Sequence, residues 1–318
     1  LPQNARVLMP AFTFAAVPSS VVHANFTPVL CECGEDYRLD LKDFKKKIKS
    51  VDAVLISHMR GHTSDMDIIL SECKQANIPL IEDAAHSLGT TWHGKKIGTL
   101  GNIGCFSFQS YKMLNAGEGG IFITDDPELF AKAVIMSGAY EHNWMKHQGD
   151  QVYFKKWQNK LPLYNLRMNN LSAALINAQL PELGSRVQKG RLNHDFTTER
   201  LNKSPWISVP SKLEPEKRAP DSIQFNLGDM NSAEIDLFEK ITSQSGLNVQ
   251  IFGRTKNNAR AFWNWQFLPE TFELPKTRKM LMTACDVRLP SRLNLEECEA
   301  ISEVILSAIM TIKSGVAA

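Results

Sequence analysis

Short apolar runs alternate with amphipathic stretches along the first part of the chain, and this alternation predicts strands separated by helices. The predicted strands cover residues 7–9, 27–33, 53–57, 78–81, 104–108 and 120–124. The predicted helices cover residues 41–49, 65–77 and 126–137, with a loop and a helix within 11–22. Strands that alternate with helices favour a mainly parallel sheet with helical cover, which is an α/β fold.

The pattern changes in the second part of the chain. A long, polar-faced helical region is predicted from Tyr164 to about Leu201, and shorter strands and helices follow Trp206. The last helix is predicted over 295–313, with Asn294 as its N-cap and Glu297 three residues later. We therefore predict a large domain over residues 1–190 and a smaller C-terminal α+β domain over residues 191–318.

Composition narrows the function classes. The chain is 43% hydrophobic and 22% charged, which is ordinary for a globular protein, and its net charge of +2 gives no strong field for nucleic acid or an anionic membrane. No apolar run approaches the length of a membrane-spanning helix, and no secretory signal opens the chain. We expect a cytoplasmic protein that has neither a nucleic-acid partner nor a membrane partner.

The six cysteines are scattered, which is typical of a reduced intracellular protein rather than of a disulfide framework. Cys31 and Cys33 form a C-x-C pair, but no second Cys or His pair follows at the spacing of a zinc site. Alternation along a strand explains this pair better than metal binding does, so we predict no metal site.

Candidate chemistry lies just after the strands, because ligands of open α/β sheets bind at the carboxyl ends of the strands. Asp83 follows an apolar strand, and a carboxylate there needs a positive partner such as a protonated pyridine nitrogen. Capping of the next helix is the alternative role. Lys112 follows the strand that ends near Phe108, and apolar neighbours would make it a nucleophile toward an aldehyde. Its alternative role is that of an ordinary surface lysine.

Further polar and aromatic residues stand in similar places. Ser107 is able to hydrogen-bond a phosphate, and Phe14, after the opening strand, is either a stacking partner for a flat cofactor or part of the core. Asn165 and Arg167 precede a helical run and suit phosphate or substrate, although a turn and a helix start explain them nearly as well. The chain has no G-x-G-x-x-G after a strand, no P-loop and no G-x-S-x-G, so the usual signatures of nicotinamide, nucleoside-triphosphate and serine-hydrolase chemistry are missing.

Taken together and in this order, the strand-end motifs resemble the DegT/DnrJ/StrS family of sugar aminotransferases, which have the fold type I of aspartate aminotransferase. The matching segments are Pro10-Ala-Phe-Thr-Phe14, Glu82-Asp83-Ala-Ala-His86, Ser107-Phe-x-x-x-Lys112, Gly117-Glu-Gly-Gly120, Asn165-x-Arg-Met168 and Ala173-Ala174…Gln179-Leu180. The resemblance covers most of the chain. It implies a large domain with a mainly parallel sheet of the seven-stranded type, covered by helices on both faces.

The resemblance also implies roles for these residues with pyridoxal 5'-phosphate as the cofactor. Lys112 corresponds to the Schiff-base lysine, which also moves the proton, and Asp83 to the partner of the pyridine nitrogen. His86 corresponds to a contact of the ring hydroxyl, and Phe14 to an aromatic residue stacked on the ring. Ser107 corresponds to a phosphate ligand, and Asn165 to a residue that reaches the phosphate of the neighbouring subunit's cofactor. The active site is then shared across a homodimer.

The implied reaction is ping-pong transamination from an amino acid, usually glutamate or glutamine, to a keto-sugar that is usually nucleotide-linked. This reaction serves the biosynthesis of amino sugars for cell-surface polysaccharides or secondary metabolites. Lys112 favours an aminotransferase over the sugar dehydratases of the family, which replace the lysine by histidine. A non-catalytic relative, another pyridoxal-phosphate enzyme such as a lyase or desulfurase, and a cyclitol or free keto acid as acceptor remain alternatives.

Two features depart from the family. The chain begins at Leu1 almost directly before the opening strand, so we expect that the first part of the large domain, with its phosphate-binding helix start, is absent. In place of a tyrosine-rich substrate loop the chain has the segment 254–267, in which Arg254, Arg260, Trp263 and Trp265 suit an anionic, stacked substrate or structural packing equally well. Arg167, Arg254 and Trp263 are the predicted substrate residues.

Overall fold

The structure is a computed structural model that describes residues 1–315. Its first part contains β1 (Arg6–Pro10), α1 (Ala16–His23), β2 (Thr27–Cys31), α2 (Leu41–Lys47), β3 (Ala53–Ser57), α3 (Met66–Ala76), β4 (Leu80–Asp83), β5 (Thr91–Trp92), β6 (Lys95–Lys96), β7 (Ile103–Ser107), β8 (Gly120–Ile123), α4 (Pro127–Met136) and α5 (Gln151–Trp157). Its second part contains α6 (Asn170–Gln179), α7 (Leu183–Leu201), β9 (Ile207–Ser208), β10 (Glu216–Lys217), β11 (Ser222–Leu227), α8 (Ser232–Gln244), β12 (Gln250–Ile251), α9 (Pro275–Leu281), β13 (Ala284–Arg288) and α10 (Leu295–Lys313).

The largest sheet has six strands in the order β2-β1-β3-β4-β7-β8. The first five strands run parallel, and β8 pairs antiparallel with β7 at the edge. The predicted mainly parallel sheet is thus confirmed. Parallel pairing brings the carboxyl ends of β1, β3, β4 and β7 to the same edge of the sheet.

Both faces of this sheet are buried, because successive side chains of a strand point to opposite faces. Leu8 of β1 packs with Phe44 of α2 and Ile69 of α3 on one face. Val7, on the other face, shares a core with Val21 of α1 and with residues of the C-terminal part, among them Phe252. The C-terminal part of the chain therefore closes one face of the large sheet.

The second part has an antiparallel sheet in the order β12-β13-β11-β9. Phe225 of this sheet packs with Phe238 of α8 and Ile305 of α10, which confirms a smaller α+β unit. Asn294 caps α10 in a capping box with Glu297, as predicted. Helix α7 runs from Leu183 to Leu201 without a break, so the predicted division at residue 190 stays a prediction.

Several predicted elements differ from the structure. Helix α6 begins only at Asn170, and a 3-10 turn at 180–182 with Pro181 at its start separates α6 from α7, so the region after Tyr164 is not one continuous helix. Helices α5 and α9 were not predicted, since short helices give little periodicity. Between residues 1 and 315, each helix is too short or too polar to span a membrane.

Candidate active site

Asp83 ends β4 and stands opposite Ser57, the last residue of β3. The Ser57 hydroxyl donates to Asp83 Oδ2 at 2.6 Å, and the backbone N–H of Ala85 donates to Oδ1 at 3.0 Å. Thr13 Oγ1 in turn donates to Ser57 Oγ at 2.9 Å. These hydrogen bonds fix the carboxylate at the sheet edge, and the carboxylate is still able to accept a hydrogen bond from a further donor in the cavity.

The preceding carboxylate, Glu82, has a different task. It is fully buried and accepts hydrogen bonds from the backbone N–H groups of Gly98, Leu100 and Gly101 at 2.7–2.8 Å. Burial alone would raise the pKa of Glu82, but these donors and His58 lower it below its ordinary value. Because neighbouring residues of a strand face opposite ways, Glu82 anchors a loop while Asp83 faces the site.

Lys112 lies beside His86, with 2.9 Å between Lys112 Nζ and His86 Nε2. Burial lowers the pKa of Lys112 from its usual value near 10.5 to about 8, although Asp83 acts in the opposite direction. Burial, followed by the charges of Lys112 and Arg60, lowers the pKa of His86 well below its usual value. A neutral His86 accepts from the lysine through Nε2 and carries its own proton on Nδ1.

A cavity of about 780 Å³ opens at this edge of the sheet. Five of the predicted site residues line it: Phe14, Asp83, His86, Ser107 and Lys112. The structure therefore brings together five residues that the strand-end rule predicted, although they are far apart in sequence. A second cavity of about 1000 Å³ adjoins the first, since Tyr111, Lys112 and Arg288 line both of them.

The other predicted residues do not line this cavity. Asn165 is exposed in the segment before α6, and the Arg167 guanidinium lies 5.3 Å from the centre of the Tyr140 ring. Arg254 binds Ser232 at 3.1 Å and pairs with an acidic residue of α8. Trp263 packs under the guanidinium of Arg278 at 4.2 Å. The substrate roles of Arg167, Arg254 and Trp263, and the role of Asn165 toward a neighbouring subunit, stay predictions.

Three further arginines line the cavity, of which sequence reasoning considered only Arg260. Arg60 follows the end of β3 by three residues, and Arg288 ends β13. The rule that located Asp83 also applies to Arg60, because it too lies just beyond a parallel strand. No comparable signal marked Arg288, which reaches the cavity from the antiparallel sheet.

Pyridoxal 5'-phosphate needs an amine for its aldehyde, a carboxylate for its ring nitrogen and a flat apolar wall for its ring. Lys112, Asp83 and Phe14 supply these groups on the walls of one cavity. His86 Nδ1 is buried and has no protein partner within residues 1–315, which leaves it free for a polar group of a ligand. The residues present therefore fit this cofactor.

Curated relatives include the GDP-perosamine synthase of Escherichia coli O157:H7, which is 29% identical over 208 residues, covering 65% of this chain and 54% of that protein. The GDP-perosamine synthase of Caulobacter vibrioides is 35% identical over 185 residues, covering 57% of this chain and 47% of that protein. The chain thus spans about half the length of these relatives.

A solved structure of Helicobacter pylori PseC, an aminotransferase involved in the biosynthesis of pseudoaminic acid, matches this structure with a TM-score of 0.85 at 19% identity, covering 98% of this chain and 81% of that one. This likeness shows a shared fold. The sequence model of one family matches residues 1–306, and aminotransferases of this family use pyridoxal 5'-phosphate. The resemblance drawn from the strand-end motifs is confirmed, and the chain belongs to the DegT/DnrJ/EryC1/StrS aminotransferase family.

Proposed function

We propose that this protein is a pyridoxal-phosphate-dependent aminotransferase that moves an amino group from an amino acid, glutamate or glutamine, to a keto-sugar. The observation that carries the proposal is Lys112, an amine with a pKa near 8 that faces Asp83 across one cavity. Family membership and the relatives named as GDP-perosamine synthases support an acceptor of the sugar class, with a nucleotide-linked sugar as the finer proposal.

Lys112 is suited to two tasks. With a pKa of about 8, a fraction of the Nζ amine is neutral near neutral pH, so it is able to attack a carbonyl carbon. The same pKa lets Nζ hold a proton and release it again, which is the requirement for a general acid and base. His86 Nε2, at 2.9 Å, orients the amine by accepting one of its hydrogens.

Asp83 is the charge partner in this proposal. When bound, pyridoxal 5'-phosphate supplies an aldehyde and a ring that takes up negative charge from the substrate carbon. Asp83, held by Ser57 and by the Ala85 N–H, is placed to keep a proton on the ring nitrogen. Ser107 is proposed to bind the phosphate, and Phe14 to stack on the ring.

The test is an absorbance spectrum of the purified protein with pyridoxal phosphate, before and after glutamate is added. We expect a visible band that glutamate bleaches, and we expect Lys112→Ala to lack it. The matched control is Lys95→Ala, because Lys95 is exposed in β6, away from the cavity. An unchanged band in Lys112→Ala would refute the assignment of Lys112, and a wild-type spectrum without a visible band would refute the proposed aminotransferase function.

We further propose a homodimer in which Asn165 serves the partner's site. Exposed apolar side chains surround Asn165, which is the composition expected of a surface that another chain covers: Leu163, Tyr164, Leu166, Leu171 and Leu175. Two inactive variants, Lys112→Ala and Asn165→Ala, would then form a hybrid dimer with one intact site. Partial activity after the two chains are unfolded and refolded together is expected, and a mixture that stays inactive would reject the shared site.

A further inference from the structure

Three guanidinium groups converge on the cavity that holds Lys112. Arg60, Arg260 and Arg288 all line it, and each has a buried nitrogen without a partner in the described part of the chain. The Nε atoms of Arg200 and Arg254 also lack a partner, but those two side chains pair with carboxylates outside the cavity. Arg60, Arg260 and Arg288 differ from Arg200 and Arg254 because all three line the same cavity, not because each has an N–H without an acceptor.

Arg60 is held in an unusual backbone conformation. Its φ of 54° and ψ of 23° lie in the left-handed region, which costs a residue with a Cβ roughly 1–2 kcal/mol. The side chain is only 6% exposed, and its NH2 pairs with the Asp286 carboxylate, while Nε has no partner among the described residues. Strain of this kind persists where the surrounding structure enforces it, and it is concentrated at functional sites.

Arg260 has no acidic partner closer than 4 Å among residues 1–315. Its guanidinium lies 5.6 Å from the centre of the Phe14 ring, and within residues 1–315 its only side-chain acceptor is Gln250 at 3.4 Å. Burial and the nearby charge of Arg60 lower the pKa of Arg260 from 12.5 to about 10. The protein therefore holds this cation at the cavity wall without neutralising it.

Arg288 is anchored on one side only. Its NH2 donates to the Tyr111 carbonyl at 2.6 Å and pairs with Asp221 at 3.1 Å. The NH1 atom is buried and has no partner in the part of the chain that the structure describes. Tyr111 precedes Lys112, so this bond ties the arginine to the lysine loop. Four cationic side chains and two carboxylates, Asp83 and Glu118, line the cavity, while Asp286 and Asp221, which do not line it, pair with Arg60 and Arg288. Within residues 1–315, Arg260 is therefore the lining arginine without a carboxylate partner.

A partly buried guanidinium group without an anionic partner, such as that of Arg260, is costly, so the cavity favours a ligand that brings an oxyanion. In a ping-pong exchange the amino donor and the acceptor occupy the same space over the lysine in turn. The donor amino acid always carries a carboxylate. Among residues 1–315, a neutral acceptor would leave Arg260 without an acidic partner and one nitrogen each of Arg60 and Arg288 without an acceptor. An acidic acceptor would satisfy these groups in the second half-reaction as well.

We propose that Arg60, Arg260 and Arg288 bind a carboxylate of the amino acceptor, so that the acceptor is a keto-sugar acid rather than a neutral keto-sugar. This inference rests on the proposed aminotransferase function, and it names the substrate class of the same site. Arginine is the residue expected here, because its planar fork matches the two oxygens of a carboxylate.

The test compares sugars that differ only in a carboxylate. Calorimetric titration of the protein loaded with pyridoxal phosphate would use glucuronate against glucose, and UDP-glucuronate against UDP-glucose. We expect each acid to bind about tenfold more tightly than its neutral counterpart, since hydrogen bonds to charged groups are strong. Arg260→Gln should abolish this preference. Arg200→Gln, whose arginine pairs with Glu299 outside the cavity, should retain it.

Three results would overturn the proposal. Equal binding of acid and neutral sugar would remove the carboxylate as the recognised group. Loss of UDP-glucose binding in Arg260→Gln would assign the arginine to the diphosphate. Loss of the visible cofactor band in Arg260→Gln, with the band intact in wild type, would assign it to the cofactor phosphate. A wild-type protein without any band would instead refute the aminotransferase function itself, so the two failures are distinguishable.

Discussion

Two groups of arginines in this molecule meet opposite conditions: Arg38 and Arg218 around a buried carboxylate, and Arg60, Arg260 and Arg288 at the cavity wall. Arg38 and Arg218 surround the buried carboxylate of Glu216, and Arg38 also donates to the carbonyls of Thr63 and Ser211 at 2.8 and 2.9 Å. In the described chain neither of these arginines has a buried nitrogen without a partner, whereas each arginine of the cavity has one. Arg60 and Arg38 are buried to a similar extent, so the two groups differ in the number of hydrogen-bond acceptors that the fold provides.

This contrast separates arginines that hold the fold together from arginines that are available to a ligand. The Glu216 group joins the loop after β3 to the strand β10, and its acceptors are protein atoms. The cavity arginines take only part of their acceptors from the protein. Satisfaction of hydrogen bonds is therefore a better sign of function than burial or charge alone.

The largest effect on stability is expected where the saturated group is broken. Glu216→Gln removes the carboxylate and turns an amide N–H₂ toward Arg38 and Arg218. Within residues 1–315 this leaves Arg218 without a carboxylate partner and Arg38 with only the exposed Asp36, 3.7 Å away. We expect the free energy of unfolding to fall by about 3–5 kcal/mol, measured by urea denaturation. The control Glu299→Gln removes a partly exposed partner of Arg200 and should cost less than about 1 kcal/mol. Equal losses in the two variants would contradict the distinction.

Much of the fold and half of the site follow from the sequence, because both depend on local order along the chain. The apolar runs that became β1, β3, β4 and β7 are short and well bounded, and the parallel arrangement follows from the helices between them. Once the strands are known, Asp83 and Lys112 must lie at the same sheet edge. His86, Ser107 and Phe14 come with them.

The remaining site residues depend on contacts that sequence patterns do not encode. Arg254 and Arg260 are six residues apart in one segment, yet Arg254 pairs with α8 while Arg260 reaches the cavity. Arg288 enters the site because β13 of the second sheet ends beside the Lys112 loop. Which arginine turns inward is decided by tertiary packing, and the sequence alone does not distinguish them.

The cations of the cavity should make stability depend on pH. Burial and the charges of Arg60 and Arg288 hold the pKa of Lys112 near 8, against a usual value near 10.5, although Asp83 and Asp221 oppose this shift. Between these values the native protein releases a proton that the unfolded chain keeps, so stability rises with pH. We expect a gain of roughly 2 kcal/mol from pH 8 to pH 10.5 in the cofactor-free protein.

The measurement is the urea unfolding free energy at several pH values in this range. Lys112→Met removes the titrating group, so its stability should lack this contribution to the rise. An identical slope in wild type and Lys112→Met would place the titration elsewhere and would weaken the view that the cavity strains its cations.

A helix cap outside both arginine groups shows how much an ordinary polar contact contributes to the free energy of unfolding. The Asn294 side chain accepts a hydrogen bond from the backbone N–H of Glu297 at 2.8 Å, and the Glu297 carboxylate accepts one from the backbone N–H of Asn294 at 2.8 Å. Asn294→Ala should lower the free energy of unfolding by about 1 kcal/mol, while Asn294→Asp, which keeps the acceptor, should cost little. A loss as large as that of Glu216→Gln would show that stability is not concentrated in the buried ion group.

The smallest change in stability is expected from the residue that distinguishes the two arginine groups most clearly. Arg260 has no acidic partner within 4 Å in the described chain. Burial depresses its pKa although Asp286 opposes the shift, so the fold on balance disfavours its charged form. Arg260→Gln should leave the unfolding free energy within about 0.5 kcal/mol of wild type or raise it slightly. Arg218→Gln, the matched change in the saturated group, should destabilise the protein by several times that amount. If Arg260→Gln proved as costly as Arg218→Gln, Arg260 would be structural, and its place beside Lys112 without a carboxylate partner would need no ligand to explain it.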